Sequence, residues 1–513
     1  MSILTLPAAK ELQSRFLYPF FFKRDSVQEL SQAFLAVKVT GKTPLELWEC
    51  SAPHEFYKEE LLDHVEEFLF SSGCSYLKLT NPVTSRWFNS VEVQLKEKEL
   101  WKPLHLVERA NIEIFLSRYG SGVLSISLEP GDWITQIKEI INFNYHLSKL
   151  RFGNAARLRI PHPQDDPAKW GALPQNVKDK IPAPPNDGTS IEDRLGKAGG
   201  IFTPAELVEE LMKPAKAFEF RKVQDEHSLF TVARFKANAD FGMDSIREEF
   251  GPLLSCLAQV EETGHSGFAG AEPPLSNAVL NRRHWVAVGL LGVAHLVSDQ
   301  EPPDHPFNEQ RMPRVFLKYF IPYLVALFQR LTLHRIVEEA GNIMTSWPSA
   351  LPELRSWLLE FSVHGFFTHL SVREVLHRYY RLCQNGLDVP DALAQARGAI
   401  AEIDARQSTE TQIRIGEKTA QVQEQMAQNV AATTKLQQDM EKHLGIVARV
   451  QRMLEWIEIF LVSVYAAHLW EMFASHVEAM QPYIAHGVLF WAFVGGFVAF
   501  ICLKPWKHRE NTP

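Results

Sequence analysis

Cysteine is scarce in this chain: the 513 residues hold five, and none of them lie at a spacing typical of a metal site or a disulfide framework. They are Cys50, Cys74, Cys256, Cys383 and Cys502. The sequence also lacks GxSxG, HExxH, a phosphate-binding glycine loop and a kinase motif set. Scattered cysteines fit a reducing compartment, and without a catalytic motif we do not expect an enzyme.

An excess of positive charge is missing as well. The formal net charge is −8, and no local run of Lys and Arg compensates for it. Nucleic acid is therefore not an expected partner. The first residues, MSILTLPAAKELQSRF, have no basic segment leading into an apolar core, so we expect the N-terminal part to stay in the cytoplasm.

Lys and Arg are absent from residues 453–503, and this stretch contains two long apolar runs. Each run is long enough to cross a bilayer, which predicts transmembrane helices at 456–475 and 484–503. Basic residues flank the pair on both sides, namely Arg449, Arg452, Lys504, Lys507 and Arg509. We therefore expect a multi-pass protein of the inner membrane with the lipid bilayer as a partner and both chain ends in the cytoplasm.

A single long helix is predicted before the first apolar run. Asp388 can cap it, Pro390 suits its first turn, and no further proline occurs until Pro482. Residues at spacings of four and three form a heptad stripe, which predicts a coiled-coil stalk over 388–455. The stripe consists of Val422, Met426, Asn429, Thr433, Leu436, Met440, His443, Val447, Val450 and Leu454.

Three positions of that seam are polar: Asn429, Thr433 and His443. Polar seam residues fix register and oligomeric state at some cost in stability. We expect stalks of several copies to associate into a homo-oligomer. The alternative is a helix packed against the chain's own bundle.

A polar stripe follows the first predicted transmembrane helix. At about 100° per residue, Glu458, Tyr465 and Met472 lie almost on one line, with His468 beside them. Ionisable groups at membrane depth usually face a protein interior or a watery path, so these four are candidate pore-lining residues. Alternatively, Glu458 and Glu471 lie near the two membrane interfaces and reach headgroup water, so that only His468 is embedded.

The remaining chain mixes strand and helix signals. The clearest is IEIFLSRYGSGVLSISL at 112–128, whose alternation around glycines predicts a β-hairpin. Phe218–Val223 and Leu229–Phe235 look like strands, and Trp285–Val297 like a buried strand or core helix. The predicted organisation is an α/β region at 1–152, a Pro-rich linker or insertion at 153–215, the second part of the α/β region at 216–312, a helical bundle at 313–387, the stalk, the two membrane helices and a basic tail at 504–513. The fold class is thus an α+β cytoplasmic domain, a long helical stalk and two C-terminal transmembrane helices.

This order of segments, ending in the tail KPWKHRE, resembles that of CorA-type divalent-cation transporters. The resemblance implies a homopentamer whose first transmembrane helix lines the pore, and a passive path for a divalent cation such as Mg²⁺. That family carries Gly-Met-Asn after this helix, where the present chain reads FASHVEAMQPY. The resemblance therefore implies a cation channel or transporter gated by its cytoplasmic domain, without implying selectivity for magnesium.

A second hypothesis assigns the two helices to anchoring alone. The protein would then be a membrane-bound signalling or scaffold protein, or a defence effector, without constitutive transport. No other cofactor is expected. Asp299, Asp304, His305 and His295 are close in sequence, but the segment DQEPPDHP reads equally well as a polar loop.

Overall fold

The computed structural model describes residues 9–39, 45–50, 52–70, 75–88, 91–96, 99–134, 136–149, 156–159, 201–223, 228–235, 256–260, 276–281, 283–299, 305–346 and 351–503. The chain forms two compact units, Met1–Arg406 and Gln407–Pro513. The predicted Pro-rich stretch 161–185, the loop GHSGFAGAEPP and the basic tail 504–513 lie outside the described residues.

The first unit is built on a mixed sheet of fourteen described strands. Every strand pair is antiparallel except β13 with β16. A separate pair, β2 and β3, lies outside it. The strands are β1 (Ala9–Phe21), β2 (Lys38–Val39), β3 (Leu45–Glu46), β4 (Trp48–Glu49), β5 (Tyr76–Leu79), β6 (Val91–Gln94), β7 (Lys102–Leu106), β8 (Ile112–Ser117), β9 (Ser121–Glu129), β10 (Arg157–Arg159), β11 (Ile201–Phe202), β12 (Arg221–Lys222), β13 (Ser228–Phe235), β14 (Ser276–Asn281), β15 (His284–Val288) and β16 (Gly292–Ser298).

The order in the sheet is β11, β10, β6, β7, β9, β1, β13, β16, β15 and β14, and β8, β5 and β4 branch from β9. Strand β1 lies in the middle, between β9 and β13. The segments before and after the Pro-rich stretch therefore share one sheet.

α-Helices accompany the strands in the described part of the chain. They are α1 (Val27–Leu35), α2 (Glu55–Lys58), α3 (Asp63–Phe70), α4 (Asn81–Trp87), α5 (Ile137–Ser148), α6 (Pro204–Leu211), α7 (Phe307–Lys318), α8 (Phe320–Ser346), α9 (Leu351–His364), α10 (Glu374–Gly386), α11 (Val389–Ser475) and α12 (Ile484–Leu503).

The sheet is buried on both faces because neighbouring residues of its central strands enter different cores. On β1, Phe16 and Phe20 join one hydrophobic cluster, whereas Leu17 and Phe21 join the other. The first cluster includes α5 and α6, and the second includes α7 to α10. A strand covered on both faces reads as a continuous apolar run, which explains the segment RFLYPFFF.

The predicted hairpin at 112–128 is confirmed, since β8 and β9 pair in antiparallel register around a turn in which Gly120 has a φ of 78°. The run Trp285–Val297 forms two buried strands, β15 and β16. A strand over Phe218–Val223 is wrong. A 3₁₀ helix ends at Phe218, and Glu219 then adopts a left-handed conformation, which leaves only the two residues of β12.

The long helix α11 has 87 residues. Its first turns belong to the first unit and bury Ala392, Leu393, Ala396, Ile400 and Ile403. From Ser408 to Glu455 every residue is exposed. Among the described residues, α11 is the one helix with an 18-residue window apolar enough to cross a membrane, at a mean hydropathy of 1.4, and Ile484–Val498 is a shorter apolar segment.

Candidate functional site

The C-terminal end of α11 and helix α12 form an antiparallel hairpin within the second unit. A Cβ atom on Gly487 would overlap the indole of Trp470, and one on Gly495 would lie 3.1 Å from the Cβ of Ser463. The earlier glycine of α12 thus meets the later residue of α11, so the two helices run in opposite directions. A 3₁₀ segment, Glu478–Tyr483, connects the two helices.

One face of α11 packs in this hairpin. The side chains of its last turns that are not fully exposed are Trp456, Ser463, Ala466, Ala467, Trp470 and Ala474. These positions span about 100° around the helix axis, centred near Ser463 and Trp470. Glycine at 487 and 495 permits the close approach, as small residues do between apolar helices.

The predicted polar stripe lies on the other side of α11. Glu458 and His468 are exposed, and Tyr465 and Met472 are 67% and 55% exposed. At about 100° per residue, the middle of this stripe is roughly 180° from the face that packs on α12. Within the second unit, the four candidate pore-lining residues are thus free to meet another molecule. Next to the stripe, His468 Nδ1 lies 3.7 Å from Glu471 Oε2.

The seam of the stalk is uncovered in a single chain. Val422, Met426, Leu436, Met440 and Val447 are between 50% and 70% exposed. The polar seam residues Asn429, Thr433 and His443 are exposed as well.

Of these polar seam residues, Thr433 is bonded within its own helix. Its Oγ1 donates a 2.8 Å hydrogen bond to the carbonyl oxygen of Asn429. Such a bond satisfies the hydroxyl without a partner chain.

Buried ionisable groups form a network in the first unit that sequence reasoning missed. Arg15 on β1 and Glu113 on β8 are fully buried, with Arg15 Nη1 at 2.6 Å from Glu113 Oε2. Tyr57 and Tyr76 donate hydrogen bonds to the Glu113 carboxylate at 2.9 and 2.6 Å. Burial raises the pKa of both tyrosines; Glu113 adds to the effect and Arg15 opposes it, so they remain donors. The network holds strands and helices together and contacts no described pocket.

A second buried chain of polar groups joins the β15–β16 hairpin to α10. His284 Nε2 and His295 Nδ1 share a hydrogen bond of 2.8 Å, and His295 Nε2 shares one of 3.0 Å with the hydroxyl of Tyr379. Burial lowers the pKa of His284 to about 3, with Arg311 adding to the effect. Burial and His284 also lower the pKa of His295. Both imidazoles are therefore neutral near pH 7.

This pair predicts an acid-sensitive fold. The unfolded histidine titrates near pH 6.5, so below that pH the unfolded state binds protons that the folded state excludes. Stability is fully present above pH 6.5 and falls as the pH is lowered towards the folded pKa. For His284 alone, we expect a loss of about 2 kcal/mol between pH 7 and pH 5, and His295 acts in the same direction.

Urea denaturation of the full chain in detergent, at pH 7 and pH 5, measures this difference. The variant His284→Asn should lose less stability between the two pH values than the wild type does. The exposed His105, replaced by Gln, serves as a control. An unchanged pH dependence in His284→Asn would contradict the prediction.

The histidines and carboxylates of the first unit do not form a metal centre in the described part of the chain, where no group of three or more metal-ligating side chains is found. Asp299 is bound by Arg234 and Lys10, while His295 faces His284 and Tyr379. Asp304 lies outside the described residues. His64, His364 and His369 line a cleft of about 1100 Å³, but they do not form such a group among the described residues either.

Comparison of the chain with protein-family models, with curated proteins and with solved structures finds no match in any of the three. Function is therefore inferred from the sequence, the fold and the positions of these side chains.

Proposed function

We propose that the protein is a CorA-like homo-oligomer of the inner membrane whose first apolar helix lines a passive path for cations, gated by its soluble unit. The observation that carries this proposal is the placement of the polar stripe. Glu458, Tyr465, His468 and Met472 face away from α12, so copies arranged around an axis would direct this face inward and α12 outward.

The outer surface of α12 supports this arrangement. Phe490, Phe493, Phe497 and Phe500 follow one another at spacings of three and four and are 52–70% exposed. Such a continuous aromatic and apolar face suits contact with acyl chains, and no charged residue interrupts it. The half-buried residues of α12 lie on its other side, against α11.

The exposed seam of the stalk supports assembly. Burying one Leu or Met side chain stabilises an interface by about 1.5–3 kcal/mol, and the seam repeats such residues over several heptads. Asn429, Thr433 and His443 would then meet their counterparts and select the register. The gating proposal rests on helix α11 itself, since its first turns lie in the core of the soluble unit and its last turns carry the stripe.

The subunit count of the detergent-extracted protein, determined by mass, tests assembly. We expect an oligomer of about five subunits, as the resemblance implies. The double variant Leu436→Glu and Met440→Glu should reduce it to monomers, because several like charges would meet at the seam. Both side chains are exposed in one chain, so the change leaves the monomer's packing intact.

The pair Thr434→Glu and Gln438→Glu adds the same charge on the side of the helix opposite the seam and should keep the subunit count of the wild type. A wild-type monomer or dimer would exclude the proposed path, because a pore needs several first helices around one axis.

The second candidate is a membrane-anchored signalling, scaffold or effector protein without constitutive transport. The observation that favours it is the contact between His468 and Glu471, which lets one helix partly satisfy its own ionisable groups. This candidate predicts an assembled protein with no cation flux in reconstituted vesicles.

A further inference from the structure

A basic pocket of about 540 Å³ opens in the first unit between α7 and the strands β14, β15 and β16. Helix α7 contributes Arg311, Arg314 and Lys318 from one face, at spacings of three and four. Arg283 approaches from the turn between β14 and β15. None of the described residues that line the pocket is acidic.

Two of these four cations are neutralised nearby. Arg314 Nη2 contacts Glu59 Oε1, and Lys318 Nζ lies 3.7 Å from the same oxygen. Lys318 Nζ also lies 2.7 Å from Glu60 Oε2. Glu59 and Glu60 directly follow α2 in the chain.

Arg283 and Arg311 lack such partners: no carboxylate of the described residues lies within 4 Å of either. Arg283 Nη1 donates to the backbone carbonyl of Asp299, and Arg311 Nη2 donates at 3.1 Å to the backbone carbonyl of Arg283. The carboxylate of Asp299 is bound instead by Arg234 at 2.5 Å and by Lys10 at 3.7 Å. A carbonyl oxygen offers only a partial charge against each guanidinium.

Of the two side chains, Arg311 loses more hydration on folding, because only 5% of it is exposed. Its Nη1 has no hydrogen-bond partner among the described residues. Burial lowers the pKa of this guanidinium; Asp299 opposes the effect, while Arg283 and Arg234 add to it. A buried cation without a matching anion destabilises a fold, and a bound anion would remove that cost.

We propose that this pocket binds an organic phosphate of nucleotide size, held by Arg283 and Arg311. A planar guanidinium can donate two parallel hydrogen bonds to the oxygens of one phosphate. Arg283 and Arg311, which have no carboxylate partner among the described residues, are suited to this role. The volume lies in the range of small-molecule sites. Phe307, His284 and Tyr319 line the same pocket and offer aromatic surfaces to a base. The proposal is independent of the cation path.

Isothermal titration of the full chain in detergent tests the site with three probes: ADP, pyrophosphate and adenosine. We expect ADP to bind at least tenfold more tightly than pyrophosphate, since it adds stacking to the phosphate contacts. Adenosine should bind at least tenfold more weakly than ADP, because it lacks the anion. Affinity for ADP should fall as salt concentration rises.

Two variants and a control connect binding to the pocket. Arg283→Gln and Arg311→Gln should each weaken ADP binding at least tenfold, while the exposed Arg397→Gln should leave it unchanged. Arg283 is half-buried, so its variant keeps the test valid even where replacing the buried Arg311 impairs folding. The proposal is overturned by an absence of ADP binding, by pyrophosphate binding as tightly as ADP, or by ADP affinity that Arg283→Gln leaves unchanged.

Discussion

Replacing Arg15 by Met should destabilise the first unit by about 3–5 kcal/mol, because the change leaves an uncompensated charge in its core. Glu113 is fully buried, and Arg15 Nη1 is the cation that neutralises it, at 2.6 Å. The guanidinium also lies 4.0 Å from the ring centroid of Phe320, so the substitution removes a cation–π contact. Urea denaturation of the full chain in detergent measures the loss.

A double variant distinguishes the effect of the unpaired Glu113 charge from the effect of the changed side-chain shape at position 15. In Arg15→Met with Glu113→Gln, no net charge stays buried, and the amide oxygen can still accept from Tyr57 and Tyr76. We expect it to be more stable than Arg15→Met alone. Arg24→Met provides the control, since Arg24 pairs with Glu360 at 3.1 Å where both side chains are partly exposed, and its loss should cost less than that of Arg15. A double variant no more stable than the single one would contradict this account.

The sequence predicted the elements whose signals are local. Alternation around Gly120 predicted the β8–β9 hairpin, and the absence of proline between Pro390 and Pro482 predicted one long helix. The helix begins at Val389, directly after Asp388, and the second apolar helix has the predicted bounds, 484–503. Helical periodicity also placed the polar stripe on one face of α11.

The buried networks could not be predicted in this way because their members are distant in sequence. Arg15 and Glu113 are 98 residues apart, and only the sheet brings them together. Two features of the sequence could have indicated the Arg15–Glu113 pair: an arginine next to the apolar segment FLYPFFF and a glutamate inside IEIFLS. The same holds for the basic pocket, where only the fold brings Arg283, in the turn between β14 and β15, to Arg311 on α7.

Replacing both Glu458 and His468 by Leu should lower cation flux at least tenfold in vesicles that contain the reconstituted protein. The reason is electrostatic: a cation loses much of its hydration shell in a narrow apolar passage, and polar groups along the wall compensate for that loss. Glu458 and His468 contribute a carboxylate and an imidazole to the stripe, and leucine turns their part of the wall apolar. The hairpin should stay intact, because both side chains lie away from the face that packs on α12.

Flux is followed with dyes for Mg²⁺ and for K⁺, so that the outcome does not depend on which cation the path prefers. Phe493→Leu on the exposed face of α12 is the control and should leave flux unchanged, since its side chain, 70% exposed, points away from the stripe. The subunit count of each variant must equal that of the wild type, which separates a blocked path from a failed assembly. Unchanged flux in the double variant would exclude a path along this face of α11, and the exposed stripe would then have to serve packing between copies of an anchored protein.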